Sequence, residues 1–406
     1  MSRGLQRLNV RPRLLRSLAI FALLGHLAAT SPAEVAAGVS PDLAREIQAI
    51  RAVGLEGAGN PQASAAWTKL SALDGAAMPE LLNAMDGANA LAANWLRAAI
   101  EAIADREFRS TNNAVAGDLG RFLLDARHDS KPRRLAFDLL TRLDPSTGEA
   151  LLAGMLNDPS PDLRAEAVQK LIRQASQVMS RSNQPAARIL FQQALGFART
   201  APQIDEIAKS LRDLGEKLDL PAVFGFVTHW KVVGPFDSTG GKGFAAVYPP
   251  EEKLDFEGEY DGKSGKAKWQ EFVTTDDYGL VSLNKPFSPL KGVAGYACAE
   301  FFSDRDQEVE LRLGSENAWK LWLNGKFLFG QNEYHLNKAI DQYRMNGQLH
   351  RGRNLILVKL CQNEQKEDWA GDWDFQLRVC DPQGAPIRSS TAVAQAGSGA
   401  GGAATP

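Results

Sequence analysis

A chain of 406 residues, 44% hydrophobic and 23% charged, is longer than one hydrophobic core usually serves and has the composition of a folded globular protein. Two domains are therefore expected and bulk disorder is excluded. With 46 basic against 48 acidic residues there is no cationic excess to neutralise a phosphate backbone, which excludes sequence-independent nucleic-acid binding.

The first 16 residues carry five arginines and no acid, and the apolar run SLAIFALLGHLAA comes directly after them. That order of charge and apolarity predicts a secretory signal. The run, roughly 13 residues against the ~20 a spanning helix needs, is short for a membrane anchor. Val35, Ala36 and Ala37 offer a cleavage site, and no two of these five arginines are adjacent, which argues against twin-arginine export. Residues 1–37 are thus expected to be removed, the alternative being an uncleaved anchor. The mature chain, with 41 basic and 47 acidic residues, is then exported to the periplasm, the extracellular space or the cell envelope, with no transmembrane span.

Residues 38–222 have a helical pattern of alanine, leucine and charged residues. NWLRAAIEAIAD (94–105), PRRLAFDLLTRLD (132–144) and DLRAEAVQKLIRQ (162–174) repeat one theme, with Arg97, Arg134 and Arg164 spaced by 37 and 30 residues. A period of that size predicts stacked helix pairs. Leu163, Ala167, Val168, Leu171 and Ile172 form one stripe that must bury against a neighbouring pair. In residues 148–172 the turn Asp158, Pro159, Ser160, Pro161 starts a helix with proline where it is tolerated, and this unit resembles a HEAT repeat. The resemblance implies an Asp/Arg ladder through Asp158 and Arg164. AARILFQQALGFART and IDEIAKSLRDLGEKLDL read as a capping pair of tetratricopeptide flavour, and the short apolar segment LPAVFGF implies a rigid junction between the helical domain and its C-terminal neighbour.

Residues 223–388 change to aromatic and β-branched runs broken by Gly, Asn, Asp and Pro. Eight strands are predicted: THWKVVGPF, VAGYACAEFF, QEVELRLG, AWKLWLNG, KFLFG, AIDQYRMNGQL, NLILVKLCQ and DFQLRVCD. Asn324 and Gly325 mark a hairpin. The fold class is thus an N-terminal α-solenoid of HEAT-like helix pairs plus a C-terminal antiparallel β-sandwich of jelly-roll type. WKVVGPF, GSENAWKLWLNGK and LHRGRNLILVK together are similar to the galactose-binding-domain-like sandwich, and the whole arrangement resembles exported bacterial proteins. That resemblance implies a carbohydrate-binding module or an accessory sugar-binding domain. Residues 389–406, rich in Gly, Ala and Ser, are expected to form a disordered tail.

The odd count of Cys298, Cys361 and Cys380 leaves at least one thiol unpaired. If LILVKLC and FQLRVC are neighbouring antiparallel strands, Cys361 and Cys380 sit at opposite ends of the pair, roughly 20 Å apart and beyond disulfide reach. Buried free thiols are expected, with a bridge from Cys298 as the alternative. Trp319 and Trp322 have opposite parity, so one should face the core and the other the surface or the helical domain.

Strands that alternate up and down sort their loops by end. With Asn324 and Gly325 at the top, the loops 314–317, 331–339 and 363–373 fall together at the bottom. That end gathers Glu316, Asn317, Tyr334, His335, Asp368, Trp369, Asp372 and Trp373 as candidate ligand-binding residues. Aromatic faces beside carboxylates and amides suit a sugar, which offers an apolar face and a ring of hydroxyls. The alternatives are that Trp369 and Trp373 only order a long loop by packing, or that the carboxylates hold a structural Ca²⁺. No other cofactor is implied. No G-x-S-x-G, HExxH, Walker A or dinucleotide motif is present, and the adjacent acidic pairs Glu251/Glu252 and Asp276/Asp277 read as solvated surface, so no enzyme is expected. Two binding roles remain. In one the sandwich takes a glycan with the helical repeats as scaffold; in the other the solenoid groove holds a protein partner and the sandwich is structural.

Overall fold

A computed structural model of the chain describes residues 40–109 and 114–390. The expected signal, residues 1–37, lies outside the described residues, as does the expected tail apart from Ser389 and Ser390. Those two are docked: the Phe302 amide donates to Ser389 Oγ at 2.9 Å and the Ser390 amide to the Phe302 carbonyl at 2.8 Å.

The helical part comprises α1 (Pro41–Arg51), α2 (Asn60–Leu70), α3 (Met78–Asn83), α4 (Ala90–Glu107), α5 (Ala114–Leu124), α6 (Ser130–Leu143), α7 (Pro145–Leu152), α8 (Pro161–Ser180), α9 (Gln184–Phe197), α10 (Ala201–Asp213) and α11 (Leu220–Phe224). Successive helices pack as pairs, α1 on α2, α5 on α6 and α8 on α9. Their starts are set by side chains that accept the otherwise orphaned first-turn amides. Asn89 takes the amide of Ala92 at 2.9 Å, Asp144 that of Thr147 at 3.0 Å, and Asn183 that of Ala186 at 3.3 Å. Along α8 the predicted stripe Leu163, Ala167, Val168, Leu171 and Ile172 is buried throughout. Each large member contributes about 1.5–3 kcal/mol by leaving water.

The arginine shared by successive pairs is not the one the spacing suggested. Arg133 comes four positions after the cap residue Asp129 of α6, as Arg164 does after Ser160 of α8, and both are buried. Arg133 forks onto the Asp158 carboxylate at 2.8 and 2.7 Å, bridging one helix pair to the next. Arg164 finds no carboxylate of a further pair and donates to the carbonyls of Asp158 at 2.6 Å and Gln383 at 2.8 Å. Arg97 pairs along its own helix with Glu101, and Arg134 with Asp138, with a longer 3.7 Å approach to Glu166 of α8 at the half-exposed surface.

The second part is an antiparallel sandwich of β1 (His229–Asp237), β2 (Glu259–Gly262), β3 (Gly265–Lys268), β4 (Gln270–Val273), β5 (Val281–Ser282), β6 (Val293–Ser303), β7 (Gln307–Ser315), β8 (Ala318–Leu323), β9 (Lys326–Gln331), β10 (Tyr343–Leu349), β11 (Gly352–Gln362) and β12 (Asp374–Cys380). One sheet runs β4-β1-β6-β11-β8-β9 and the other β10-β7-β12-β5, with β2 and β3 a separate hairpin. Each of the eight predicted strands is present. Asn324 and Gly325 turn the β8–β9 hairpin with φ of 52° and 79°, the left-handed pair such turns need.

Two expectations are corrected here. The strands β11 and β12 lie in different sheets, so the hairpin from which the Cys361–Cys380 distance was argued does not exist; all three cysteines are nevertheless free and buried. Trp319 faces the core between the sheets, and Trp322 on the opposite face is also buried. The outer face of the six-stranded sheet is roofed by residues 239–269, whose Phe244, Tyr248, Leu254, Phe256, Tyr260 and Trp269 pack on it.

The two parts meet directly. Phe224 of α11 is buried beside Phe226, their ring centroids 5.3 Å apart. Arg378 on β12, fully buried, donates to the carbonyls of Phe224 at 3.2 Å and Arg199 at 3.4 Å. Among the described residues no helix is long and apolar enough to cross a membrane.

Candidate functional site

The three loops assigned to the bottom end are arches. Each carries the chain from one sheet to the other: β7 to β8, β9 to β10, and β11 to β12. Arches leave backbone groups without ladder partners, and side-chain amides take them up here. Asn317 donates to the Asp372 carbonyl at 3.0 Å and to Gln362 at 3.3 Å, and accepts the amide of Asp374 at 3.0 Å. Gln362 in turn donates to the carbonyls of Ala370 at 3.0 Å and Asp372 at 2.8 Å. Lys338 closes the middle arch on Asp374 at 2.7 Å. Burial pushes the Asp374 carboxyl above its ordinary value, against the lowering effect of Lys338.

His335 ties the arches together at their crest. Its backbone amide donates to the Glu316 carbonyl at 2.5 Å. Its ring meets the Asn363 side chain at 3.0 Å and stands perpendicular to Trp369, with centroids 4.9 Å apart. Trp369 sits on a single 3₁₀ turn, Asp368–Ala370, and is 60% exposed. A large indole left this open on an otherwise stapled loop is the unusual feature of this end. Asp368 and Asp372 are exposed and Glu316 half-buried. Among the described residues no hydrogen bond or ion pair engages these three carboxylates.

The remaining predicted residues turn inward. Trp373 is fully buried and its indole donates to the Leu360 carbonyl at 3.2 Å, so of the two alternatives for it the geometry is that of packing. Asn317 is likewise buried. The Tyr334 ring joins the apolar cluster beneath the roof, and its hydroxyl is buried without a hydrogen-bond partner. Burial raises that phenol's pKa. The arches therefore converge, but only Glu316, His335, Asp368, Trp369 and Asp372 form the outward surface. Among the described residues no three His, Cys, Asp or Glu side chains come together as metal ligands.

A charged cluster that sequence reasoning passed over lies under the roof. Lys359, in the middle of β11, is wholly buried and bonds to Glu251 at 2.7 Å and to the Ala246 carbonyl at 2.5 Å. Tyr296 donates to the same carboxylate, and Tyr248 lies 4.8 Å from the ammonium. Burial lowers the Lys359 pKa, with Glu251 working the other way; it also pushes the Cys361 thiol up to about 12. The only signal in the sequence was a lysine inside the apolar run of β11. Glu251, expected at the solvated surface, is instead the largely buried partner of Lys359.

A cavity of 890 Å³ opens between α11, the start of β1 and the outer end of β6, lined by Phe226, Trp230, Val273 and Phe301 among others. Its rim charges are engaged already: Lys231 with Glu271, Arg212 with Asp277, and Glu300 with Arg353.

No family model matches the chain, and no curated protein matches it. Among solved structures, it is similar to part of a β-glucosidase from Kluyveromyces marxianus, at 10% identity and a TM-score of 0.23, covering 37% of this chain and 16% of that one. It is also similar to part of a GH31 α-xylosidase from Xanthomonas citri, at 15% identity and a TM-score of 0.17, covering 30% of this chain and 17% of that one. The chain thus spans less than a fifth of the length of either protein, and both are distant matches to fragments.

Proposed function

We propose that this is a non-catalytic exported protein that binds glycans through the arch end of its sandwich. In this reading the sandwich is a galactose-binding-like module and the helix pairs are HEAT-like repeats that present it. The observation that carries the reading is Trp369. It is a largely exposed indole, braced by the perpendicular ring of His335 and flanked by the unpaired carboxylates of Asp368, Asp372 and Glu316. A perpendicular ring covers at most one face of the indole, which leaves the other for the apolar face of a pyranose, while carboxylates accept from its hydroxyls. The Arg133–Asp158 link between helix pairs supports the HEAT-like part. The arginine-then-apolar order of residues 1–29 supports export.

The test is a broad glycan array with the mature protein beside a Trp369→Ala variant. The expected result is binding to a defined set of glycans that the variant loses, at least 10-fold, with an unchanged melting temperature because the side chain is mostly solvated. Trp373 is unsuited to such a test, since removing it opens the core. A folded protein that binds nothing on the array would sink the reading.

A further inference from the structure

Where the helical part meets the sandwich, a second cavity of 480 Å³ is enclosed by the start of α8, the start of α10, β7, β10 and the loop after β12. It falls within the ~300–1,000 Å³ typical of small-molecule sites. Arg164, Arg199, Arg312 and Arg344 line it, against the carboxylates of Glu310 and Asp341.

Those carboxylates are already used. Arg312 holds Glu310 at 2.7 Å and Asp341 at 2.7 Å, and Asp341 also takes Arg378. The nearby Asp381 spends one carboxylate oxygen on the amides of Gln383 and Ala385. What remains is an excess of positive charge: Asp381 is near Arg164 and Arg199, but no carboxylate makes a direct ion pair with Arg164, Arg199 or Arg344 among the described residues. Arg164, 5% exposed, donates only to main-chain carbonyls. Arg199 does the same, to Gly196 at 3.0 Å and Ala198 at 2.9 Å. The Arg344 guanidinium has no hydrogen bond or ion pair among the described residues. Burial disfavours the charged forms of both Arg164 and Arg199; for Arg164 the charges of Asp381 and Asp158 oppose it ahead of the repulsion from Arg312, and for Arg199 repulsion from Arg164 adds to it while Asp381 opposes it.

The first turn of α10 also opens here. Its cap residue Thr200 gives its hydroxyl to Gln203 instead of accepting a helix amide, so the positive end of the helix faces the cavity uncapped. Pro159, Pro161, Phe197, Ile340 and Pro382 supply apolar wall.

We infer that this interdomain cavity is a binding site for a small organic oxyanion, a phosphate or carboxylate carried on a compact carbon skeleton. Guanidinium groups with unspent donors match such oxygens in geometry and charge, and the apolar wall takes the skeleton. The site is formed jointly by both parts of the chain and shares no lining residue with the outward surface around Trp369.

Titration calorimetry of the mature full-length protein at low salt tests it, with glucose 6-phosphate, glucuronate, inorganic phosphate and uncharged glucose as probes. At least one anion is expected to bind and glucose is not; which anion binds tells phosphate from carboxylate. Arg199→Gln and Arg344→Gln should each weaken binding by at least about 10-fold, the loss of one charge-assisted hydrogen bond. Arg344 is exposed, so its variant remains folded even if the Arg199 variant does not. Trp369→Ala should leave anion binding intact, which keeps this site's fate separate from that of the proposed glycan surface. The inference is overturned if none of the three anions binds, if glucose binds as tightly, or if Arg344→Gln binds the anion as the wild type does.

Discussion

Lys359 shows how much one residue can hold. A buried ammonium is tolerable only with a counter-charge and hydrogen bonds; Glu251 supplies the charge, Glu251 and the Ala246 carbonyl take two of the three donors, and the Tyr248 and Tyr296 rings lie beside it. Because Glu251 belongs to a four-residue helix in the roof, Pro249–Glu252, this one pair pins the roof to β11. Removing a single partner should therefore be costly: Glu251→Ala leaves the ammonium uncompensated and is expected to lose about 3–5 kcal/mol in urea unfolding. The double variant Glu251→Leu, Lys359→Met should recover most of that loss, since an apolar pair carries no desolvation penalty. If the double variant were no better than Glu251→Ala alone, the pair would not be what holds the roof. The same residues mark a limit of sequence reading. A lysine inside a strand run is legible, but its partner lies 108 positions away and only the fold brings them together.

Among elements, those with strong local chemistry were legible and those held by distant packing were not. Asn324 and Gly325 name their own turn, and Gly325 at φ 79° should tolerate alanine poorly. Gly325→Ala is expected to lose about 1 kcal/mol, read from the urea midpoint at unchanged slope, although nothing lies within 4 Å of the added methyl. An unchanged midpoint would mean that the turn relaxes. Asn324 does more than turn: it accepts the Leu355 amide at 2.9 Å and donates to Asn354 at 2.8 Å, tying the hairpin to β11. By contrast the hairpin EYDG and GKAK of β2 and β3 has no β-branched residue, and its alternation is only Tyr260 and Ala267 between charged neighbours, too short a signal to mark strands without the sheet it covers. Missing that roof is why Trp322 was expected on the surface or against the helical part. The arch end was legible because alternation of strand direction needs only strand order. Which of its residues face outward was not, because an arch has no fixed side-chain period to separate Trp369 from Trp373.

At the scale of the molecule, the question is what makes two architectures one body. The apolar junction around Phe224 and Phe226 was legible in LPAVFGF, whereas the polar lock beside it was not. Asp341 takes Arg378 at 2.6 and 2.5 Å and Arg312 at 2.7 Å, and Arg378 reaches from there to the carbonyls of Phe224 and Arg199. Burial alone would raise the Asp341 pKa, but the hydrogen bonds and charges of Arg378 and Arg312 outweigh it and hold it below the ordinary carboxylate value. A depressed acid stabilises the folded state fully above its unfolded pKa of about 4, and that contribution is lost as pH falls through the folded value. Acidification below about pH 4 should therefore loosen the junction before either part unfolds. Calorimetry is expected to show one cooperative transition at neutral pH that divides into two in acid. Asp341→Asn, which leaves the buried Arg378 without a carboxylate while Arg312 keeps Glu310, should show the divided transition already at neutral pH and a shallower acid dependence. An Asp341→Asn protein that melts in one step with the wild-type acid limb would mean that the aromatic junction alone couples the two parts.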